Sequence, residues 1–360
     1  MDLFENAFQG KRVLVTGDTG FKGSWMCIWL KNLGAEVFGY ALPPKTDKDN
    51  FVTTNLAKKM VHQDGDIRDL ESMKAFFQKV KPEIVFHMAA QPLVLHSYQN
   101  PVETFSTNVM GTVHLFECVR ETPSVRVVIN VTSDKCYDNK EWVWGYREND
   151  PMGGKDPYSA SKGCAELVFS SYWHSFFQKP GSPAMASGRA GNVIGGGDWA
   201  ENRIIPDVFR AVESNTTLLV RNPRATRPWQ FVLEPVYGYM KLAEKLLANP
   251  QKYSGGWNFG PLDNNNYSVA DLLNQVKIKV KLQTSYQEGS DNPHEAHLLK
   301  LDISKAVSIL KWQPLLNFQK TVDFTINGYM AEIQGNKNLF EARVAQIEAY
   351  ASHCNKDTTV

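Results

Sequence analysis

Arg12-Val13-Leu14-Val15-Thr16-Gly17-Asp18-Thr19-Gly20-Phe21-Lys22-Gly23 is the stretch that decides the fold of this 360-residue chain. A β-branched run leads into a turn with three glycines, and an apolar helical pattern then continues to Leu33 and is closed by Gly34. The order is strand, glycine turn, helix. Glycines let the backbone approach a pyrophosphate closely, and a helix N-terminus offers it unpaired N–H groups and a positive dipole end. A glycine triplet by itself is an ordinary tight turn. Directly after the first strand of an alternating β/α chain it points to nucleotide binding, with Gly17, Thr19, Gly20, Phe21, Lys22 and Gly23 as the residues that line the dinucleotide.

The alternation continues. Further strands are expected at Glu36–Gly39, Met60–His62, Ile84–Met88 and Arg126–Thr132, the last a nearly continuous apolar run of the kind a doubly covered parallel strand requires. The fold class is therefore α/β, a doubly wound parallel sheet of Rossmann type, followed by a smaller mixed α/β C-terminal domain where the strict alternation is lost. An acidic residue that grips the adenosine ribose of NAD belongs at the end of the second strand, but the chain reads Tyr40, Ala41, Leu42 there. NAD against NADP stays open at that position, although the absence of an arginine leans against a 2′-phosphate. Asp66 and Ile67 follow the third strand at the carboxyl edge, where ligands collect; Asp66 serves equally well as a cap of the next helix. Ala89, Ala90 and Gln91 form a small-residue loop against which a dinucleotide can lie closely.

Tyr158 and Lys162 are four residues apart, so on a helix they project from one face. A free phenol has a pKa of about 10, and a neighbouring ammonium is what lets it act as a base near neutrality. Ser133, Asp134 and Lys135 stand at the carboxyl end of the fifth strand. Residues 138–157, with Trp142, Trp144 and several glycines, read as an ordered flap. The glycine-rich run Gly188–Gly197 reads as a domain crossing, after which Asp198, Trp199, Arg203, Arg221, Arg224 and Arg227 bring charge and aromatics together. They suit a negatively charged, partly aromatic ligand, or else form a solvated basic face. The helices expected at about 102–120 and 158–177 are apolar on more than one face, which suggests burial against a partner.

Composition narrows the function classes. The 39 Lys and Arg balance 38 Asp and Glu, so no overall basic field argues for nucleic acid or a membrane surface. The polar N-terminus and the short apolar runs argue against a signal peptide and a membrane span, and a cytoplasmic protein is expected. Five scattered cysteines without a CxxC pair read as reduced thiols. His294 and His297 lack a third ligand at useful spacing, and no metal is expected.

Thr16 to Gly23, Asp66 with Ile67, Ala89 with Ala90, Asn108, Ser133, Tyr158 and Lys162 together resemble the extended short-chain dehydrogenase/reductase family over nearly the whole chain. Asp134 directly after Ser133 is similar to the nucleotide-sugar 4,6-dehydratases, whose run there is Thr-Asp-Glu. The galactose-type epimerases lack that acidic residue. Lys135 departs from the usual Glu and, with Arg189–Trp199 and His294–Asp302, resembles the branch that acts on CDP-glucose.

The resemblance implies an NAD-dependent lyase of deoxysugar and O-antigen biosynthesis, which oxidises C4, eliminates water across C5 and C6 and returns the hydride to C6. It implies that Tyr158 is the base for the C4 hydroxyl, that Lys162 lowers its pKa and holds the nicotinamide ribose, that Ser133 bonds O4, and that Asp134 protonates the leaving oxygen. Lys135 is either the C5 base or a charge that stabilises the enolate. Asn108, Gln91 and the glycine turn belong with the cofactor. Gln91, Asn192, Trp199, Arg203, Arg227 and Glu295 belong with the substrate, Asn192 and Arg227 near the pyrophosphate and Trp199 as an apolar wall. The expected division is 1–188 with about 226–250 for the dinucleotide, and about 189–225 with 251–360 for the nucleotide sugar. Relatives form dimers through a four-helix bundle, so a homodimer or a dimer of dimers is expected.

Overall fold

The computed structural model describes residues 3–262, 267–287 and 298–354. Its centre is a parallel sheet containing β1 (Arg12–Thr16), β2 (Glu36–Ala41), β3 (Val61–Asp64), β4 (Ile84–His87), β5 (Val127–Val131) and β6 (Ala184–Ala190). Their spatial order is 3-2-1-4-5-6, with the strand Gly255–Phe259 added beyond β6 to make seven. Side chains alternate along each strand, and both faces are covered. Val13, Val15, Ile84, Phe86, Val127 and Ile129 enter one core, while Leu14, Val85 and Val128 enter the other. Each such fully buried side chain contributes about 1.5–3 kcal/mol.

Gly255–Phe259 falls in the stretch expected for the sugar unit, and the structure corrects this. It pairs with β6 in parallel, Trp257 opposite Gly188, and its Trp257 and Phe259 are buried in the sheet's core. The helix Leu233–Ala248 lies on β5 and β6 and leads into it. A second core gathers Val208 and Phe209 of the helix Ile204–Ser214, Leu272 and Leu273 of the helix Val269–Lys279, and Val322 and Tyr329 of the helix Phe318–Ile333. Phe209 stacks on Tyr329 with centroids 4.0 Å apart.

Reversal of strand order between β1 and β4 opens a crevice at their carboxyl ends, where the turn 17–23 and the loop 88–92 both emerge. On the far side, the C-terminal helix Leu339–Ala351 packs on α1 (Phe21–Asn32). It is fastened by Glu234, whose buried carboxyl accepts the N–H groups of Leu315 (2.9 Å) and Leu316 (2.8 Å) and the hydroxyl of Tyr350 (2.7 Å).

Burial raises the Glu234 pKa from 4.5 to about 7, against the pull of Tyr350 and the two N–H groups. The folded pKa lies above the unfolded one, so the stability Glu234 contributes is full below pH about 4.5 and is lost as pH rises through about 7. Glu234→Gln removes this titration. The wild-type stability minus that of the variant should fall by on the order of 3 kcal/mol between pH 5 and 8, measured by urea unfolding. A difference that stays flat with pH would show that Glu234 does not titrate in this range.

Candidate active site

The glycine turn is built around contact with the loop that follows β4. Gly17 has φ +75°, and a Cβ there would lie 2.7 Å from the Ala89 nitrogen, so only glycine lets the two segments touch. The Thr16 hydroxyl accepts the N–H groups of Met88 (3.2 Å) and Ala89 (3.3 Å) and meets His87 Nδ1 at 2.7 Å. α1 starts after Gly20 with no side-chain cap and no acidic residue in its first turn, which leaves its N–H groups and dipole for an anion. This uncapped end, beside the small Ala89 and Ala90, fits the pyrophosphate of a dinucleotide.

Asp18 does not face that ligand position. It is fully buried, and its Oδ2 lies 2.7 Å from His62 Nδ1, whose Nε2 is 3.1 Å from Asp64. The acidic residue of the turn thus braces it against β3. Burial raises the Asp18 pKa against the pull of His62. Burial opposes the charge on His62, but Asp18 and Asp64 together outweigh it and the His62 pKa is raised. Asp66 is held by Arg68, with Nη2 to Oδ2 at 2.6 Å. It does not cap the next helix; Asp69 does, accepting Ser72 N–H at 3.1 Å. Ile67 is buried against Gly111.

Ser133 ends the extended segment after β5, and Asp134, Lys135 and Cys136 form a single 3-10 turn. Ser133 Oγ donates to Asp134 Oδ1 (2.9 Å) and accepts the N–H of Lys135 (3.2 Å). Asp134 is buried; Lys135 is half-buried. The helix Pro157–Tyr172 begins with Asp156, which caps it through Ser159 N–H (2.9 Å), and with Pro157 in the first turn. Tyr158 and Lys162 are both buried on it, 8% and 6% exposed.

Burial pushes the Tyr158 pKa up to about 12, and the groups that draw it back are Ser133, by hydrogen bonding, and the Arg203 guanidinium. Burial also lowers Lys162 to about 8. The ammonium in the field of Lys162 is that of Lys22.

Asn108 sits in a π-helical turn, Ser106–Met110, between the helices Pro101–Phe105 and Gly111–Arg120. Its amide accepts Gln91 N–H (2.8 Å) and donates to Gln91 O (3.1 Å) and Ser161 Oγ (2.8 Å). The extra residue in such a turn redirects a side chain inward, a common device at functional sites. Asn108 therefore joins the β4 loop to the helix of Tyr158. The Gln91 side chain is likewise engaged, by Leu93 N–H (2.5 Å) and Thr104 Oγ (2.9 Å). Both residues, expected against the ligands, brace the loop that carries Ala89 and Ala90.

One turn beyond Lys162, Glu166 pairs with Arg189 at 2.8 Å, both buried, and accepts from the hydroxyls of Thr132 and Ser187. Arg189 also donates to Tyr137 OH (2.7 Å) and Glu148 O (2.9 Å). Sequence reasoning missed this pair. Its signal was a glutamate on the face of the helix that carries Lys162.

On the opposite wall, the run after β6 crosses above Asp134, since a Cβ at Gly191 would lie 2.8 Å from Asp134 Oδ2. Asn192 is half-buried at this crossing. Arg203 is held by Asp198 at 2.9 Å and acts electrostatically on Tyr158 and Lys22. Arg227 is half-buried on a short strand and donates to Thr226 O at 2.8 Å, while Arg221 and Arg224 are exposed. Trp199 is not an open wall. It is buried in the second core, edge-on to Tyr329, with its Nε1 2.8 Å from Glu332 and Lys48 over its ring. Glu295, His294 and His297 lie outside the described residues. Among the described residues no group of three His, Cys, Asp or Glu could hold a metal ion, and no helix is long and apolar enough to cross a membrane.

Residues 14–325 match the family model described as GDP-mannose 4,6 dehydratase. Over 340 residues the chain is 51% identical to CDP-glucose 4,6-dehydratase of Salmonella typhimurium, covering 93% of this chain and 95% of that one. It is 26% identical over 350 residues to human dTDP-D-glucose 4,6-dehydratase, covering 92% and 93%. Among solved structures it resembles UDP-glucose-4-epimerase of Stenotrophomonas maltophila, with TM-score 0.77, 20% identity and coverage of 90% and 99%. It also resembles dTDP-glucose 4,6-dehydratase of Bacillus anthracis, with TM-score 0.73, 18% identity and coverage of 91% and 99%. The Rossmann sheet, the buried Ser133-Asp134 pair beside Tyr158 and a match spanning most of the chain agree: this chain belongs to the nucleotide-sugar 4,6-dehydratase family.

Proposed function

We propose that the chain is an NAD-dependent hydro-lyase that converts CDP-glucose to CDP-4-keto-6-deoxyglucose and water. The observation that carries this reading is Asp134, a buried carboxyl bonded to Ser133 beside Tyr158. An epimerase has no oxygen to expel and needs no acid there. The 51% identity to a CDP-glucose 4,6-dehydratase supports the nucleotide. When bound, NAD supplies a hydride acceptor for C4 and returns that hydride at C6. Its pyrophosphate would lie on the uncapped N-terminus of α1, and Lys162 would hold the ribose nearest the reacting carbon.

The protein's own groups then act on the protons of the reaction. Tyr158 takes the proton of the C4 hydroxyl, while Ser133 orients that oxygen. The ketone at C4 acidifies C5–H, and Lys135 either removes this proton or stabilises the enolate as a fixed charge. Asp134 delivers a proton to the C6 oxygen, which leaves as water, and C5 takes up a proton again as the C5–C6 double bond is reduced at C6. The nucleotide diphosphate would meet Arg203, Arg227 and Asn192. We take the sheet with the helix Leu233–Ala248 as the dinucleotide unit and the second core as the sugar-nucleotide unit.

In deuterated water, the protein with NAD and CDP-glucose should yield a 6-deoxy-4-keto sugar with deuterium at C5, read by NMR, and dTDP- or UDP-glucose should not react. A C4 epimer without a C6 methyl group would overturn the dehydratase reading. Lys135→Met should abolish deuterium entry at C5; a variant that still exchanges that proton would remove Lys135 from the mechanism.

We also read the apolar face of the helices Pro101–Phe105 and Pro157–Tyr172 as the seat of a second copy. Val102 and Leu167 are 81% and 60% exposed there, and Phe105 and Met110 also reach the surface. Two such helices from each copy would close into a four-helix bundle. Leu167→Glu should shift the protein toward the monomer in analytical ultracentrifugation, and an unchanged sedimentation profile would exclude this face.

A further inference from the structure

Asp134 and Lys135 stand on a turn whose own hydrogen bonds are long. Cys136 N–H reaches Ser133 O at 3.2 Å, and Tyr137 N–H reaches Asp134 O at 3.5 Å. The start of the turn is fixed by β5, since Thr132, just before Ser133, donates its N–H to Gly188 O at 2.9 Å. The other end is held from outside. Gly153 N–H bonds Cys136 O (2.8 Å), Asp138 N–H bonds Pro151 O (2.9 Å), and the Tyr137 side chain makes the remaining contacts.

Tyr137 is fully buried, and its ring stacks on Tyr146 with centroids 5.2 Å apart. Its hydroxyl donates to Asn258 Oδ1 at 2.7 Å and accepts from Arg189 Nη1 at 2.7 Å, so its one proton is committed. Each partner is itself fixed. Arg189 pairs with Glu166 on the helix of Lys162. Asn258, on the strand Gly255–Phe259, donates through Nδ2 to Tyr146 O (2.8 Å) and Asp302 O (3.0 Å). Tyr146 N–H in turn bonds Lys300 O at 2.8 Å. One phenol thus pins the end of the turn to the sheet, to the helix of Lys162 and to the segment 298–302.

The two stages of the reaction draw on different parts of this assembly. Oxidation at C4 uses Tyr158 and Ser133, which the helix Pro157–Tyr172 and β5 hold. Loss of water across C5 and C6 uses Asp134 and Lys135, which lie between Ser133 and Tyr137. We propose that Tyr137 is a positioning residue for the elimination: its hydroxyl, held between Arg189 and Asn258, fixes Asp134 and Lys135 against C6 and C5 of a sugar whose C4 is set by Tyr158. Both hydrogen bonds of that hydroxyl go to protein, so it acts through the backbone of the turn. A group that must meet a departing oxygen tolerates little displacement, and a shift of about 1 Å can cost on the order of 100-fold in rate. The inference rests on the dehydratase reading given above.

Tyr137→Phe removes the hydroxyl and keeps the ring. The full chain with NAD and CDP-glucose in deuterated water is followed through a single turnover, the reduced cofactor by its near-ultraviolet absorbance and C5 deuterium by NMR. In Tyr137→Phe the reduced cofactor should form at the wild-type rate and decay about tenfold more slowly, with deuterium entry at C5 slowed alike. Tyr146→Phe removes a neighbouring phenol hydroxyl, bonded to Asn139 and Lys140, and should leave both rates unchanged. Should Tyr137→Phe fail to fold, Asn258→Ser, which takes away the acceptor and leaves the phenol, is read in the same way. Equal slowing of formation and decay would show a general loosening and overturn the inference. An unchanged decay, or the same selective slowing in Tyr146→Phe, would overturn it as well. Wild-type protein that forms neither reduced cofactor nor deoxy sugar would instead sink the dehydratase reading itself, and this inference with it.

Discussion

The Thr16 hydroxyl, buried at the carboxyl end of β1, is the point on which the site depends. It accepts two backbone N–H groups from the β4 loop, so its own proton is directed at His87 Nδ1. That assigns the tautomer with hydrogen on Nε2, which faces Thr112 Oγ at 3.4 Å, and Thr112 in turn donates to Asn108 O at 2.8 Å. Burial, reinforced by Lys162, lowers the His87 pKa to about 3, so the ring stays neutral and the chain of donors keeps one direction. A single run of hydrogen bonds therefore links the glycine turn to the π-helical turn that presents Asn108, and through Ser161 to the helix of Tyr158 and Lys162.

Beneath this scaffold the charges are arranged by how much water each retains. Glu166 and Arg189 can be buried because both carboxylate oxygens and most of the guanidinium have partners, and removing either would strand the other at a cost of about 3–5 kcal/mol. Arg343 repeats the device under the second core. It is fully buried and bonded to Asn50, Gly328 and Glu332, and Glu332 also holds Trp199. The active-site charges are different. Among the described residues Lys22, Lys162 and Tyr158 are desolvated without a dedicated counter-ion, and all three have pKa values moved against their charged forms. Such groups are poised for ligands that bring charge of their own.

Much of the site was legible in the chain because its signals are local. The glycine turn after β1, the four-residue spacing of Tyr158 and Lys162, and Ser133-Asp134-Lys135 at a strand end all depend on neighbours in sequence. Where the structure differs from the expectation, burial and side-chain contact decided. Asp66 reads equally as a residue at the ligand edge or as a helix cap; Arg68 holds its carboxylate and Asp69 caps the helix. Trp199 reads as a ligand wall, but Glu332 and Tyr329 draw it into a core. Burial, which no local pattern displays, raises the phenol pKa of Tyr158.

The sequence by itself determined the order of strands and helices, the glycine turn after β1 and the residue types proposed for catalysis, because periodicity, capping and turn chemistry act over a few residues. Only the tertiary structure decided that Gly255–Phe259 completes the sheet, that Lys22 rests on Tyr239, that Glu166 meets Arg189 and that Asn108 faces Ser161. Each of these joins segments far apart in the chain. Their effects on charge follow from which groups lose water when the sheet, its covering helices and the second core close on one another, and no local pattern encodes that.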